Sequence, residues 1–475
     1  MAYLQFSDYY HKQLILAGRL PYPYYYPYSS PVPNLSNQDC NNLFSWHTEH
    51  ILPYYNFDAN PSYDLLTGSC HNPCHDNSNN VSFCQRDPCS EKYDYYCYDT
   101  RTPYQDPSNI LGFTIIGLVS NYIADRSICG VVRPITGVTR VTGVTGTMNL
   151  DINLSDPWGI VFMNDTIWIA NAGSGLVTSY DLLGRTLQPV INVFGPICNI
   201  SQPTGIVFND NSLDAFVLVN GSAIGSSTII VATRDGTING FNCSVDPDNS
   251  IIMIDNSANN SVYTSLEIIG TRIYATDFYN QSIDVYDGTN IVSCYPTDDR
   301  KKRQLTIPIR VPNCNFIDGS DDPIPADFAP YNITNIGDFL YVSYAKQSPY
   351  DSQYELFGTG NGYINIFSFD GKFVRRFVSK CNLDTPWGML LAPPSFGYPA
   401  GSIMVSNFGD GTISIFGPNG QCLGKMKDEF NHEIYIEGLR TLTINPNCSK
   451  MIYWTASSNN LNDATMGTLN AKFYV

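Results

Sequence analysis

Apolar and polar residues alternate in short runs along most of this chain. The runs "IWIAN", "IIVAT", "RIYAT", "LYVSY" and "IMVSN" share one form, a few alternating apolar positions closed by a small or polar residue. A Gly- or Asn-rich turn follows each. Then comes another alternating run with aromatic ends: "GLVTSYD", "GTINGFN", "QSIDVYD", "GYINIFSFD" and "GTISIFG". Alternation with period two puts one face of a strand in the core and the other toward a second layer. No long stretch carries apolar residues at spacings of three and four, so the chain reads as all-β. The closing Asp-Gly, Asn-Gly and Leu-Gly dipeptides fit tight hairpins, which need a positive φ.

The runs form a repeat. Units begin near Asp156, Pro203, Tyr263, Ala329, Thr385 and Ile436. Each opens on a short apolar strand and passes through the two alternating strands. Six units of roughly 50 residues match the length of a four-stranded propeller blade. A blade cannot bury both faces alone and must stack on neighbours around an axis. A six-bladed β-propeller over residues 109–475 follows. The run Ile110–Val119, "ILGFTIIGLV", is about half the ~20 residues a membrane span needs. Residues 110–125, which contain it, are placed as the last strand of the ring, closing N-terminal part against C-terminal part. The Thr/Val/Gly-rich "GVTRVTGVTGT" from Gly137 to Thr147 reads as an edge ribbon or a loop.

Two units open on nearly the same words, "DPWGI" (Asp156 to Ile160) and "TPWGM" (Thr385 to Met389), in a chain with only 5 Trp. Trp158 and Trp387 are therefore read as equivalent positions that pack rather than stack a ligand. Gly159 and Gly388 are read as places where backbone passes close to the packed ring.

Residues 1–108 break the pattern. They hold the Pro/Tyr-rich "PYPYYYPYSSPVP" and Cys40, Cys70, Cys74, Cys84, Cys89 and Cys97. Such a segment reads as an arm or small stapled module, because its core is too small to hold alone.

In order, "LVSN" (Leu118 to Asn121), "DPWGI", "PTGIVFN", "ATRDGTINGFN", "YATDFYNQSIDVYDG", "PYNITNIGDFLYVSYA", "TPWGMLLAP" and "VSNFGDGTISIF" resemble an uncharacterised TIGR-type conserved hypothetical β-propeller family. That family is known from bacteria, with similar proteins in giant viruses of the mimivirus kind. The resemblance spans about residues 115–456 and leaves residues 1–108 outside it; the insertion between "LVSN" and "DPWGI" and the one from Ser293 to Asp327 depart from the usual pattern. It implies the propeller fold and no reaction. The Tyr-, Asn- and Ile-rich composition resembles the giant-virus members.

Composition narrows the function. Hydrophobic residues make up 43% and charged ones 15%, so a large core is available. The formal charge of −17, from 26 basic and 43 acidic residues, disfavours nucleic acid and anionic membranes as partners. The opening "MAYLQFSDYYHKQLILAG" lacks the basic-then-apolar form of a standard secretory signal. Yet 14 cysteines favour an oxidising destination, a virion or the extracellular space. Asn-X-Ser/Thr sequons recur from Asn34 to Asn447, so glycans are possible.

The N-terminal cysteines fit disulfides, and with His71 and His75 they also fit a zinc site. Cys294 and Cys314 bracket a loop that a disulfide would close. Inside it Arg300, Lys301, Lys302 and Arg303 form a basic cluster, read as a solvated loop, a processing site or a partner contact. The acidic "DGSDDP" from Asp318 can hold calcium but lacks EF-hand spacing. Asp235, Asp277, Asp287 and Asp410 recur at turns and read as turn chemistry. No Gly-X-Ser-X-Gly elbow and no phosphate loop occur, and His432 is the only His beyond residue 75. No cofactor is expected. The leading expectation is a non-enzymatic structural or interaction protein that meets protein partners, or itself, through propeller loops and the N-terminal arm. The alternatives are a metal-dependent hydrolase or lactonase working in the axial channel, and a carbohydrate-binding propeller.

Overall fold

The computed structural model describes residues 110–121, 144–145, 148–197, 199–210, 215–289, 291–295, 303–306, 308–312, 314–458, 461 and 463–473, together with a hairpin at 84–86 and 95–97. Residues 106–475 lie in one compact unit and residues 29–105 form another. In the second unit, Cys84–Arg86 pairs antiparallel with Tyr95–Cys97, and Cys84 stands opposite Cys97 in register. The rest of the expected arm, including Cys40, Cys70, Cys74 and Cys89, lies outside the described residues.

The larger unit is a six-bladed β-propeller with almost no helix among the described residues. Blade 1 runs outward as Pro157–Met163, Thr166–Asn171, Leu176–Tyr180 and Thr186–Asn192. Blade 2 is Pro203–Phe208, Ile229–Thr233, Thr237–Phe241 and Ile251–Asp255, with the hairpin Val217–Asn220/Ala223–Ser226 inserted after its first strand. Blade 3 is Tyr263–Ile269, Arg272–Asp277, Ser282–Asp287 and the two-residue strand Ile309–Arg310. Blade 4 is Phe328–Ile336, Phe339–Lys346, Gly362–Phe367 and Phe373–Ser379. Blade 5 is Pro386–Leu391, Ile403–Asn407, Ile413–Phe416 and Cys422–Lys425. Blade 6 is Leu439–Asn445, Cys448–Ser458 and Asp463–Phe473.

The outer strand of blade 6 is Ile110–Ser120, paired antiparallel with Asp463–Phe473. The apolar run at the start of the repeat region therefore closes the ring, as its sequence suggests. A strand from each end of the unit shares one sheet, so opening the ring means breaking that blade. Val144–Thr145 and Asn149–Leu150 then run parallel along Ile110–Ser120, so part of the Thr/Val/Gly segment is an edge ribbon.

The inner strands pack side by side around the axis, and the inner strand of blade 6 meets those of blades 5 and 1. The core lies between blades. Ile167, Ile169 and Tyr180 of blade 1 pack with Tyr453 and Met466 of blade 6. Ile230 and Ile238 of blade 2 pack with Leu266 and Ile273 of blade 3. This is where the apolar face of each alternating strand is removed from water, at roughly 25 cal/mol per Å² of apolar surface. The expected hairpin glycines adopt positive φ at Gly184 (77°), Gly371 (79°) and Gly420 (84°).

The insertion between blades 3 and 4 forms a ribbon, Ile291–Tyr295 with Arg303–Thr306, and then supplies the short outer strand of blade 3. Arg303 opens the second ribbon strand opposite Tyr295. Arg300, Lys301 and Lys302 lie outside the described residues.

Candidate functional site

The six inner strands line the axis of the propeller. Each carries a bulge near its start, shown by the register shifts at Pro157/Ile160, Pro203/Ile206, Tyr263/Ser265, Pro330/Asn332, Pro386/Met389 and Leu439/Leu442. Aligning the bulges makes Trp158, Thr204, Thr264, Tyr331, Trp387 and Arg440 equivalent. All six are buried. The two Pro-Trp-Gly motifs are thus two of six axial positions.

These side chains fill the axis. The Trp158 and Trp387 rings meet edge to face with centroids 5.9 Å apart, and Tyr331 packs on Trp158 at 6.2 Å. Phe278, from the turn of blade 3, closes on Tyr331 at 5.2 Å. Ala172, Val262, Ala329 and Ala345 complete the cluster. Trp387 Nε1 donates across the axis to the Thr264 carbonyl at 3.2 Å.

The next position on each inner strand sets how close the blades come. A Cβ on Gly388 would lie 2.5 Å from the Arg440 carbonyl oxygen and 2.7 Å from Leu442 N. A Cβ on Gly159 would meet Ile206 Cγ2 at 2.9 Å. The glycines therefore admit the backbone of the neighbouring inner strand, which passes close beside the Trp positions. Where the position is not Gly, its side chain bonds to the next blade. Asn332 Nδ2 donates to the Trp387 carbonyl, and Thr441 Oγ1 to the Trp158 carbonyl. Ser265 Oγ likewise donates to Asn332 Oδ1, and at the axial position itself the Thr204 and Thr264 hydroxyls donate to the Tyr263 and Tyr331 carbonyls, both at 2.8 Å. Asn332 also sits in a sequon, and its buried, bonded amide leaves no room for a glycan in the folded chain.

Two ion pairs are buried with the aromatics. Arg440 Nη1 bonds to Asp156 Oδ1, and the guanidinium lies 4.2 Å from the ring centroids of both Trp158 and Phe408. Asp156 also accepts from Ser457 Oγ at 3.0 Å and Trp158 Nε1 at 3.2 Å. Asp156 and Thr385 hold φ of 45° and 53° just ahead of their Pro-Trp-Gly, so the two motifs share a left-handed entry turn. The second pair joins Arg234, in the turn of blade 2, to Glu355 at 3.9 Å.

Glu355 belongs to a long connection, residues 347–361, between the second and third strands of blade 4. This segment reaches across to blade 2 and caps the axis. Arg234 Nη2 donates to the Gln353 carbonyl at 2.7 Å, and its guanidinium lies 4.8 Å from the Tyr354 ring. Phe357 packs edge-on against Phe408 at 5.3 Å, and Gly358 N donates to Asp384 Oδ1 at 2.8 Å. Beneath the cap the Tyr331 hydroxyl has no hydrogen-bond partner. Burial and the Glu355 carboxylate push its acidity well below that of an ordinary phenol. Outside the cap, a cleft of about 710 Å³ is lined by Tyr279, Asp327, Lys346, Gln353 and Tyr350, the last strongly exposed.

A metal-assisted hydrolase needs several free carboxylate or amide donors converging at the axis. Here both axial carboxylates are held by arginines and the remaining space is aromatic, so these residues do not make such a donor set. Asp318 does not present a calcium loop either. Its carboxylate accepts from Ser320 N at 3.1 Å, Ile324 N at 2.7 Å and Arg376 Nη2 at 2.6 Å, pinning the loop to blade 4. Three of the recurrent aspartates accept within their own turns: Asp277 takes Asn280 N at 3.2 Å, Asp287 takes Thr289 N at 3.0 Å and Asp410 takes Thr412 N at 3.0 Å. Asp235 instead reaches out of its turn to the segment entering blade 2, accepting from Ser201 Oγ at 2.6 Å and Gln202 N at 2.8 Å.

Of the proposed cysteine pair in the insertion, Cys314 is a half-buried free thiol near Gly371, while the Cys294 side chain lies outside the described residues. Sequence reading missed Arg440, Arg234 and the cap. The signal for Arg440 was its place in "GLRTL", in step with "PWGM" and "PTGI".

The uncharacterized protein R640 of Acanthamoeba polyphaga mimivirus is 34% identical to this chain over a 543-residue alignment covering 97% of each. The chain belongs to this mimivirus protein family. A second member, the uncharacterized protein L690 of the same virus, is 36% identical over 67% of this chain and 81% of its own length. No family model matches the sequence, so the bacterial family stays a resemblance. Among solved structures, the one titled "Streptogramin B lyase structure" aligns at a TM-score of 0.36 and 14% identity, over 68% of this chain and 96% of that one. A likeness that loose carries no functional argument. Among the described residues no helix is long and apolar enough to cross a membrane.

Proposed function

We propose that this chain is a non-enzymatic structural or interaction protein, an assembly component of a virion or an extracellular structure. Its contacts are made by the loops on the capped face of the propeller and by the N-terminal arm, with protein partners or further copies of itself. One observation carries the reading: the axis is packed with Trp158, Trp387 and Tyr331, its carboxylates are paired with arginines, and residues 347–361 seal it. A reacting group has no open, water-accessible seat there. The rigid blades instead hold surface loops in place, which is what an interaction scaffold requires. The cleft beside Tyr350 is the candidate contact on that face, since an exposed Tyr offers large amphipathic area. Membership of a viral protein family fits the assembly role.

The test is electron microscopy, with particle mass measurement, of the protein taken from its native source without reductant. Particle-bound or ordered copies that are released on trimming residues 1–108 are the expected result. A monodisperse monomer from the native source, unchanged by the trimming, would overturn it. Glycan binding that is lost in Tyr350→Ser would instead favour the carbohydrate-binding alternative.

A further inference from the structure

The seam between blades 4 and 5 brings two thiols together. Cys381 lies just past the outer strand of blade 4, and Cys422 opens the outer strand of blade 5. Both are exposed free thiols, and the side chain next to Cys381 touches the second: Asn382 Nδ2 reaches Cys422 Sγ at 3.1 Å.

The arrangement is held from several sides. Within the linker from Lys380 to Thr385, Lys380, Asn382 and Thr385 take φ of 63°, 50° and 53°. Such left-handed positions persist in non-glycine residues only when the surroundings fix them. Here the Asn382 carbonyl accepts from Asn407 Nδ2 at 3.0 Å and Ser414 Oγ at 2.7 Å, and Asp384 N donates to Asn407 Oδ1 at 3.1 Å. The linker that carries Cys381 is thus anchored on the same blade that carries Cys422. Cys381, one residue before the side chain that touches Cys422, is thereby held beside it, and a disulfide needs the two Cβ atoms about 3.8 Å apart.

We propose that Cys381 and Cys422 are an oxidisable pair that closes an intrachain disulfide, tying the inter-blade linker to the outer edge of blade 5. The oxidant is a small-molecule disulfide of the glutathione class. One protein thiol, as its thiolate, attacks that disulfide. A mixed disulfide forms and one glutathione thiolate leaves, taking up the proton the protein thiol lost. The second protein thiol then attacks the mixed disulfide and releases the second glutathione. Two protein thiols and one glutathione disulfide give one protein disulfide and two glutathione thiols. Burial and the neighbouring Cys422 push the Cys381 thiol up, so closure speeds up as the pH rises above neutral. The bond closes a loop of about 40 residues and so restrains the unfolded chain.

The test uses the full chain equilibrated in glutathione buffers of graded redox poise, then alkylated and mapped by mass spectrometry. Trypsin leaves Cys381 and Cys422 in one peptide ending at Lys425, and chymotrypsin cuts between them at Trp387 and Phe408. In oxidised buffer the tryptic peptide should take up no alkylating agent and weigh two hydrogens less, and the chymotryptic fragments should stay linked until reduced. Thermal unfolding should move upward by a few degrees on oxidation. In Cys381→Ser, Cys422 should alkylate fully or carry one glutathione, and the upward shift should vanish. Full alkylation of both cysteines in oxidised buffer, separate glutathione adducts on each, or linkage of either to another cysteine would overturn the proposal.

Discussion

The axis and the rim of this propeller are built by opposite rules. At the axis, six equivalent positions carry large or bonded side chains, all buried, and each inner strand is within bonding or van der Waals reach of the next. At the rim, the outer strands of blades 1 to 5 are half exposed, and two of them are short, with two residues in Ile309–Arg310 and four in Cys422–Lys425; the closing strand Ile110–Ser120 is the long, largely buried exception. The difference shows where the ring is specified. A side chain at the axis touches several blades at once, so an error there is felt around the circle. A rim residue touches one strand and water.

That contrast can be broken at graded points. Asp156→Ala leaves the Arg440 guanidinium buried without its carboxylate, and urea denaturation should show a loss of about 3–5 kcal/mol. Gly388→Ala pushes a methyl against the Arg440 carbonyl and Leu442 N, so the strands must part. The expected loss in the same assay is about 1–3 kcal/mol. Acid probes the loop that Arg376 holds. Burial alone would raise the Asp318 carboxyl, but hydrogen bonds from Ile324 and Ser320 and the Arg376 charge outweigh it and hold the group below its usual range. A depressed folded value means that this stabilisation is complete above the unfolded carboxyl's value of about 3.9 and fades as pH falls through the lower folded value. Chemical denaturation between pH 5 and 2 should therefore show a smaller acid loss in Asp318→Asn than in the unmodified chain. Smallest of all, Leu423→Ser on the exposed outer strand of blade 5 should stay within about 0.5 kcal/mol. A rim change as costly as the axial ones would erase the distinction.

The same contrast explains what the sequence disclosed. The second and third strands of each blade are buried between neighbours on both faces, so "IWIAN" or "IIVAT" reads as a short apolar run followed by a turn of fixed chemistry. The closing strand at Ile110 could be placed because a propeller closes its ring by pairing a strand from each end, and an apolar run stood at the right end. The outer strands were not, because sequences such as "TLQPVIN" and "CLGK" are half exposed and carry little periodic signal. The axial packing of Trp158 and Trp387 was legible from their repetition. Arg440 was not, since a lone Arg in an apolar run reads as a surface residue until its strand is set in step with the other five. The cap was hidden for another reason. Residues 347–361 have loop composition, and only the fold brings Glu355 and Tyr354 to Arg234 on a blade two places away.

The axial account rests on coupling between residues 284 positions apart. A double-mutant cycle of Asp156→Asn and Arg440→Met, read by urea denaturation, measures that coupling directly. A built-in ion pair predicts a double variant at least about 1 kcal/mol more stable than the sum of the single losses allows. Additive losses, within about 0.3–0.5 kcal/mol, would contradict a structural plug at the axis.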